Sequence, residues 1–157
     1  MEIRVLKVRR EENLDELKGV ITTGHTVIGQ GQGGWQVPAP SQIGDLAVWY
    51  SGDPQQKFVA YGWVCGLPYK PKGEQRKYYG PVCGVTRLPR GPKSRAEVGA
   101  RSGFMADADE VIPMAQTVTR NHNAFLLALG FSPRFVEGRE HISAEVVRCI
   151  ETAGAAQ

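Results

Sequence analysis

The densest apolar patterning in the chain runs from Gly44 to Leu67. Leu46 to Tyr50 is a short run of apolar and aromatic residues with the composition of a strand, and Lys57 to Leu67 is a second. Between them lies Ser51-Gly52-Asp53-Pro54-Gln55-Gln56, polar and rich in turn formers, so the pair predicts a β-hairpin with a longer loop. Side chains alternate faces along a strand. That period sets Phe58, Ala60, Gly62 and Val64 on one face and Val59, Tyr61, Trp63 and Cys65 on the other.

Outside the hairpin, Glu2 to Arg10 alternates as a strand does. Asn13-Leu14-Asp15-Glu16 is a capping box for a helix of little more than one turn, stopped by Gly19. Val20 to Ile28 is β-branched and reads as extended, and Gly80 to Leu88 reads as a further strand. Ser94-Arg95-Ala96-Glu97 is a second capping box, with Gly103 as the stop. Phe104 to Pro113 is acidic and irregular, with a brief pairing segment at Glu110-Val111-Ile112. Asn121 caps a helix to Leu129 that Gly130 closes, and Ser143 caps a last helix to about Ala153. Helices this short do not make regular crossovers between parallel strands. The order predicts an α+β fold, a small and mostly antiparallel barrel or half-barrel with helices on its flanks. With no repeat and no dividing linker, residues 1–157 read as a single domain.

Composition adds little to this picture. Hydrophobic content of 41% and charged content of 22% are those of a globular domain. There is no apolar run long enough to span a bilayer and no signal-like apolar core near Met1, so a cytoplasmic address is expected. Cys65, Cys83 and Cys149 are odd in number and far apart, as expected for reduced, buried thiols.

The distribution of charge and of aromatic residues changes the picture more. Residues 70–101 hold nine lysines and arginines against Glu74 and Glu97, a net +7, while the rest of the chain has ten basic against fourteen acidic residues. Such a segment is either a solvated loop or an electrostatic footprint for phosphates. All three tryptophans and all five tyrosines fall between Trp35 and Tyr79. Trp and Tyr join a flat face to a polar edge and suit a half-wet pocket, where base-on-ring stacking is worth about 1–3 kcal/mol. The plainer alternative makes Trp49 and Trp63 core residues of the hairpin.

Other chemistry finds little footing. His25, His122 and His141 are isolated, and neither CxxC nor H-E-x-x-H occurs, so no metal site is expected. Arg120-Asn121-His122-Asn123 has the look of a nuclease signature without the further ligands one needs, and G-x-S-x-G is missing. Asp107, Asp109 and Glu110 read as a solvated acidic loop. Gly29 to Gly34 lacks the following helix of a phosphate loop, because Pro38 and Pro40 come next. It reads as a mobile loop, and in a sharper version as one that carries Trp35 over a binding site.

The strings Trp35-Gln36-Val37-Pro38-Ala39-Pro40, Gly44-Asp45-Leu46-Ala47-Val48-Trp49-Tyr50-Ser51, Tyr61-Gly62-Trp63-Val64 and Pro68-Tyr69 resemble, in order and spacing, the EVE domain of the PUA-like superfamily, a relative of YTH and ASCH domains. The resemblance covers residues 35–69. It implies a PUA-like β-barrel whose pocket takes a flipped modified base, in proteins often found near restriction and anti-phage systems. Trp35 would be the loop tryptophan, and Tyr50 and Ser51 the end of the family's "GD…Y-x-S" strand, although here Ser51 directly follows Tyr50. The function expected is a non-enzymatic nucleic-acid-binding module for a modified base, a 5-substituted cytosine, in DNA rather than RNA, with any cleavage left to a separate nuclease partner. Trp35, Trp49, Tyr50, Ser51, Tyr61, Trp63 and Tyr79 are the expected base pocket. Lys70, Lys72, Arg76, Lys77, Arg87, Arg90 and Lys93 are the expected phosphate contacts. No catalytic residue, metal, cofactor or membrane is expected. The alternatives are a small-molecule enzyme or a protein-interaction module on the same barrel.

Overall fold

In the computed structural model, which describes residues 1–8, 15, 17–18, 27–28, 35–52, 55–74, 76–138, 147–148 and 151, the expected hairpin lies at the centre of the main sheet. In chain order the strands are β1 (Ile3–Val8), β2 (Val27–Ile28), β3 (Trp35–Val37), β4 (Leu46–Ser51), β5 (Lys57–Val64), β6 (Tyr78–Gly80), β7 (Val82–Arg87), β8 (Lys93–Ser94) and β9 (Ala115–Thr117). The helices lying wholly within the described residues are α1 (Arg95–Ser102), α2 (His122–Ala128) and α3 (Pro133–Gly138). The main sheet runs β2-β7-β5-β4-β1-β9, with β8 also paired to β5, and β3 and β6 form a separate two-stranded ribbon. The pairings are antiparallel except for β1 with β4, which is parallel. The fold is α+β and dominated by its sheet.

Strand β4 is buried along its whole length, because the sheet is covered on both faces. Leu46, Val48 and Tyr50 join Ile3, Val5 and Phe58 under the helices, with Val98, Phe125, Leu126 and Leu129 above them. Ala47 and Trp49 point the other way and join Leu6, Val8, Trp35, Val37 and Ala60. A strand covered on both faces reads as a continuous apolar run rather than an alternating one, as Leu46–Tyr50 does.

The faces of β5 depart from strict alternation. Trp49 pairs with Ala60 but Tyr50 pairs with Phe58, so Val59 is an extra residue in a bulge. Phe58 therefore shares the helix-covered side with Tyr61 and Trp63, and Ala60 lies opposite. The strand also ends at Val64, and Leu67 is exposed. Gly62 is needed where it stands, since a Cβ there would meet the Cys83 carbonyl oxygen at 2.8 Å and the Trp49 ring at 3.3 Å.

Other local expectations fared unevenly. Ser94 caps α1 by accepting from the Glu97 N–H at 3.1 Å, and Gly103 ends it in the left-handed region, φ 80°. Asn121 stands at the N-cap position of α2, as expected, but its side chain makes no capping bond there. Its backbone is left-handed at φ 55°, and its Nδ2 donates to the Ser102 carbonyl at 3.0 Å. The strand expected over Gly80–Leu88 is divided between β6 and β7 at Pro81, which has no N–H for a ladder. Residues 110–112 form no strand, and the pairing falls to β9 instead. Buried Arg95 holds this acidic stretch by donating to the carbonyls of Met105, Asp107 and Glu110. α3 was not foreseen. The expectations for 13–19, 29–34 and 143–153 fall largely or wholly outside the described residues. Among the described residues no helix is long and apolar enough to cross a membrane.

A buried ion pair joins the pieces. Arg4 Nε donates to Asp45 Oδ2 at 3.0 Å, and the guanidinium also donates to Thr117 Oγ1 and to the Pro40 carbonyl. Asp45 accepts from the backbone N–H groups of Glu2 and Gln42. Asp45→Ala leaves a buried guanidinium and two backbone donors without their acceptor. It should cost about 3–5 kcal/mol in urea unfolding, against roughly 0.5 kcal/mol or less for an ordinary surface change.

Candidate functional site

The seven residues expected to form one pocket do not converge. Trp35 and Trp49 meet on one face of the main sheet, edge to face, with centroids 5.8 Å apart and planes at 79°. Tyr50, Tyr61 and Trp63 lie on the helix-covered face, against Phe58, Phe131 and Phe135 in turn. Tyr50 and Ser51 are buried and cannot be open walls. Tyr79 belongs to the ribbon, where it pairs with Gln36 and bridges to Tyr69. The side-chain period of β4 sends Trp49 and Tyr50 to opposite sides, and the sheet stands between the two groups.

Trp35 is not a loop-tip lid. It opens β3, opposite Gly80, and is only 8% exposed. Both indole N–H groups of the pair, Trp35 Nε1 and Trp49 Nε1, are buried with no acceptor among the described residues. Ser41 Oγ and Gln116 Nε2 are in the same condition elsewhere. A buried donor left unpaired costs about 1–3 kcal/mol, so two in one aromatic contact call for an explanation.

The expected phosphate contacts fall into two groups. Lys70, Lys72, Arg76 and Lys77 are exposed on the segment that ends in β6, the partner of the strand that carries Trp35. Glu74 shapes that segment by accepting from the Arg76 and Lys77 backbone N–H groups, and Lys70 Nζ lies 5.0 Å from the centroid of the Tyr78 ring. Arg87, Arg90 and Lys93 lie on β7, β8 and the turn between them. None of the seven forms an ion pair with a described residue.

An open concavity lies on the helix-covered face, a groove of about 590 Å³. It brings Tyr61, Arg90 and Lys93 together with Arg101, Phe131 and Phe135. The last three were missed as site residues. Their signal lay in the two phenylalanines four apart, right after Gly130, and in the last basic residue of the 70–101 segment.

The cysteines correct one expectation. Cys83 is disulfide-bonded rather than reduced. Cys65 is free and buried, and burial pushes its thiol up to about 11 against a weaker opposing backbone hydrogen bond. Among the described residues no group of three or more His, Cys, Asp or Glu is placed to hold a metal ion.

No protein-family model and no curated protein matches this chain. Solved structures share its fold. Protein Atu2648 from Agrobacterium tumefaciens is 18% identical with a TM-score of 0.56, over 83% of this chain and 92% of that one. Rpa0253 from Rhodopseudomonas palustris is 13% identical with a TM-score of 0.55, over 83% and 94%. At these identities the likeness is one of fold.

Cys65 should stay unmodified when the native protein meets iodoacetamide at mildly alkaline pH, because a thiol raised to about 11 is almost wholly protonated there and the thiolate is the nucleophile. It should react in denaturant. Mass spectrometry of the two samples checks this.

Proposed function

We propose that this protein is a non-enzymatic nucleic-acid-binding module that takes a flipped, modified base, a 5-substituted cytosine of DNA, at the Trp35–Trp49 pair. The observation that carries the proposal is the pair of buried indole donors with no acceptor among the described residues. The Watson–Crick edge of cytosine presents acceptors at O2 and N3, which two N–H donors would satisfy, while a 5-substituent points away from that edge. Trp35 sits in the two-stranded ribbon and not in the main sheet, and because both rings are buried, admitting a base would require the ribbon and the Trp35 ring to move. The segment that leads into the ribbon at β6 carries the exposed cations Lys70, Lys72, Arg76 and Lys77, which would supply the phosphate contacts. Flipping costs a few kcal/mol, and stacking of about 1–3 kcal/mol together with phosphate contacts would offset it. The resemblance to the EVE domain supports the same proposal. It adds a PUA-like barrel and work beside a separate nuclease in a restriction or anti-phage setting.

Trp35→Phe keeps a ring in the contact and removes the donor. It should weaken a modified-cytosine oligonucleotide by about 1–3 kcal/mol in a fluorescence titration, and any flipped unmodified cytosine by as much, because the lost donor reads an edge the two bases share. Equal affinity of the parent protein for modified and unmodified strands would refute the proposal.

The phosphate contacts have their own signature. Binding should fall with salt at a log–log slope near −0.9 per duplex phosphate neutralised, or about −0.7 on single strands. Arg76→Ala with Lys77→Ala should make the slope shallower and weaken all sequences alike. An unchanged slope would place the phosphates away from the ribbon.

A further inference from the structure

We infer that the groove on the helix-covered face is a second binding site, for a nucleoside phosphate. Its phosphate would meet Arg90, Lys93 and Arg101, and its base would lie against the ring of Phe135, which is backed by buried Phe131. This site is across the main sheet from Trp35 and does not rest on the function proposed there.

The size is right, since small-molecule sites usually enclose about 300–1,000 Å³ and this groove encloses about 590 Å³. The charge is one-sided. Three cations border it, and among the described residues no carboxylate lines it. Like charges gathered on one concavity disfavour each other, and a phosphate group turns that repulsion into attraction. Guanidinium groups suit phosphate in particular, because their fork of donors matches its oxygens.

The rings are held before any ligand arrives. Phe131 and Phe135 stack with centroids 4.4 Å apart and planes at 16°, and Tyr61 meets Phe131 edge-on at 4.9 Å. The cations stand on three different elements. Arg90 is in the turn before β8, and its stem lies against Gly130, where a Cβ would come within 3.3 Å of the Arg90 Cβ. Gly130 also turns the chain at φ 94°, which delivers Phe131 to the groove. Lys93 stands on β8, whose backbone pairs with β5. Arg101 is in the last turn of α1, with Nη1 at 3.5 Å from the Leu127 carbonyl. Groups already held in place lose little freedom on binding. Cations alone would suit any anion, and rings alone any flat molecule. Both in one concavity suit a flat base that carries a phosphate.

Calorimetric titration of the full chain tests this with adenosine monophosphate, adenosine, inorganic phosphate and a short single-stranded adenylate oligonucleotide. The monophosphate should bind roughly tenfold more tightly than adenosine or inorganic phosphate. Arg101→Glu should weaken it by roughly tenfold with an unchanged unfolding midpoint, since Arg101 is exposed, and Arg90→Glu should do the same. Trp35→Phe should leave it intact. Tighter binding of the oligonucleotide, lost in the same two variants, supports the site and assigns it to a strand. The reverse order supports it and assigns it to a free nucleotide. Inorganic phosphate binding as well as the monophosphate, no binding of either nucleotide form, charge-reversal variants that bind like the parent, or loss on Trp35→Phe would each overturn the proposal.

Discussion

The contact between Arg4 and Asp45 sets the geometry on which the other elements depend. Arg4 is on β1 and Asp45 stands one residue before β4, so the pair aligns the two parallel strands at their start. The same guanidinium reaches β9 through Thr117 and the turn after β3 through Pro40. The Asp45 backbone extends the arrangement to β5, because its carbonyl accepts from the Val64 N–H at 2.9 Å. A charge this deeply buried is tolerable only when nearly all its hydrogen-bonding capacity is used. That requirement leaves little freedom in how the four strands and the turn come together.

With that alignment in place, a sheet covered on both sides decides where the aromatic residues go. Trp49 is driven to one face and Tyr50 to the other by a backbone period of two. Gly62 lets the Trp49 ring lie close over β5, and the bulge at Val59 moves Phe58 beneath the helices with Tyr61 and Trp63. The cluster of tryptophans and tyrosines is therefore compact along the chain and divided in space.

Two places in the molecule hold polarity that a ligand would answer. One is inside, where a pair of indole donors has no acceptor among the described residues. The other is at the surface, where cations border a groove floored by rings. Their physics differs. The interior donors have already lost water and would recover a full hydrogen bond from an acceptor of the right shape. The surface cations keep their water and answer to charge and salt.

Much of the fold was legible in the residues themselves. The hairpin of Leu46–Tyr50 with the strand from Lys57 onward, the cap at Ser94, the stop at Gly103 and the break at Gly130 all follow from local chemistry. Turn formers, hydroxyl caps and glycine act over a few residues and need no partner far along the chain. The basic character of residues 70–101 and the clustering of Trp and Tyr were equally plain. Tertiary structure alone decided that β4 is covered on both faces, that β1 runs parallel to it, and that Val59 forms a bulge. It also made Trp35 a strand residue and brought Tyr61 to Phe131 and Arg101 in place of Trp35. Each of these depends on which surface a side chain finds across the sheet, many residues away. Composition shows that a ring or a cation is present, but only the packing of distant strands and helices decides which of them share a site.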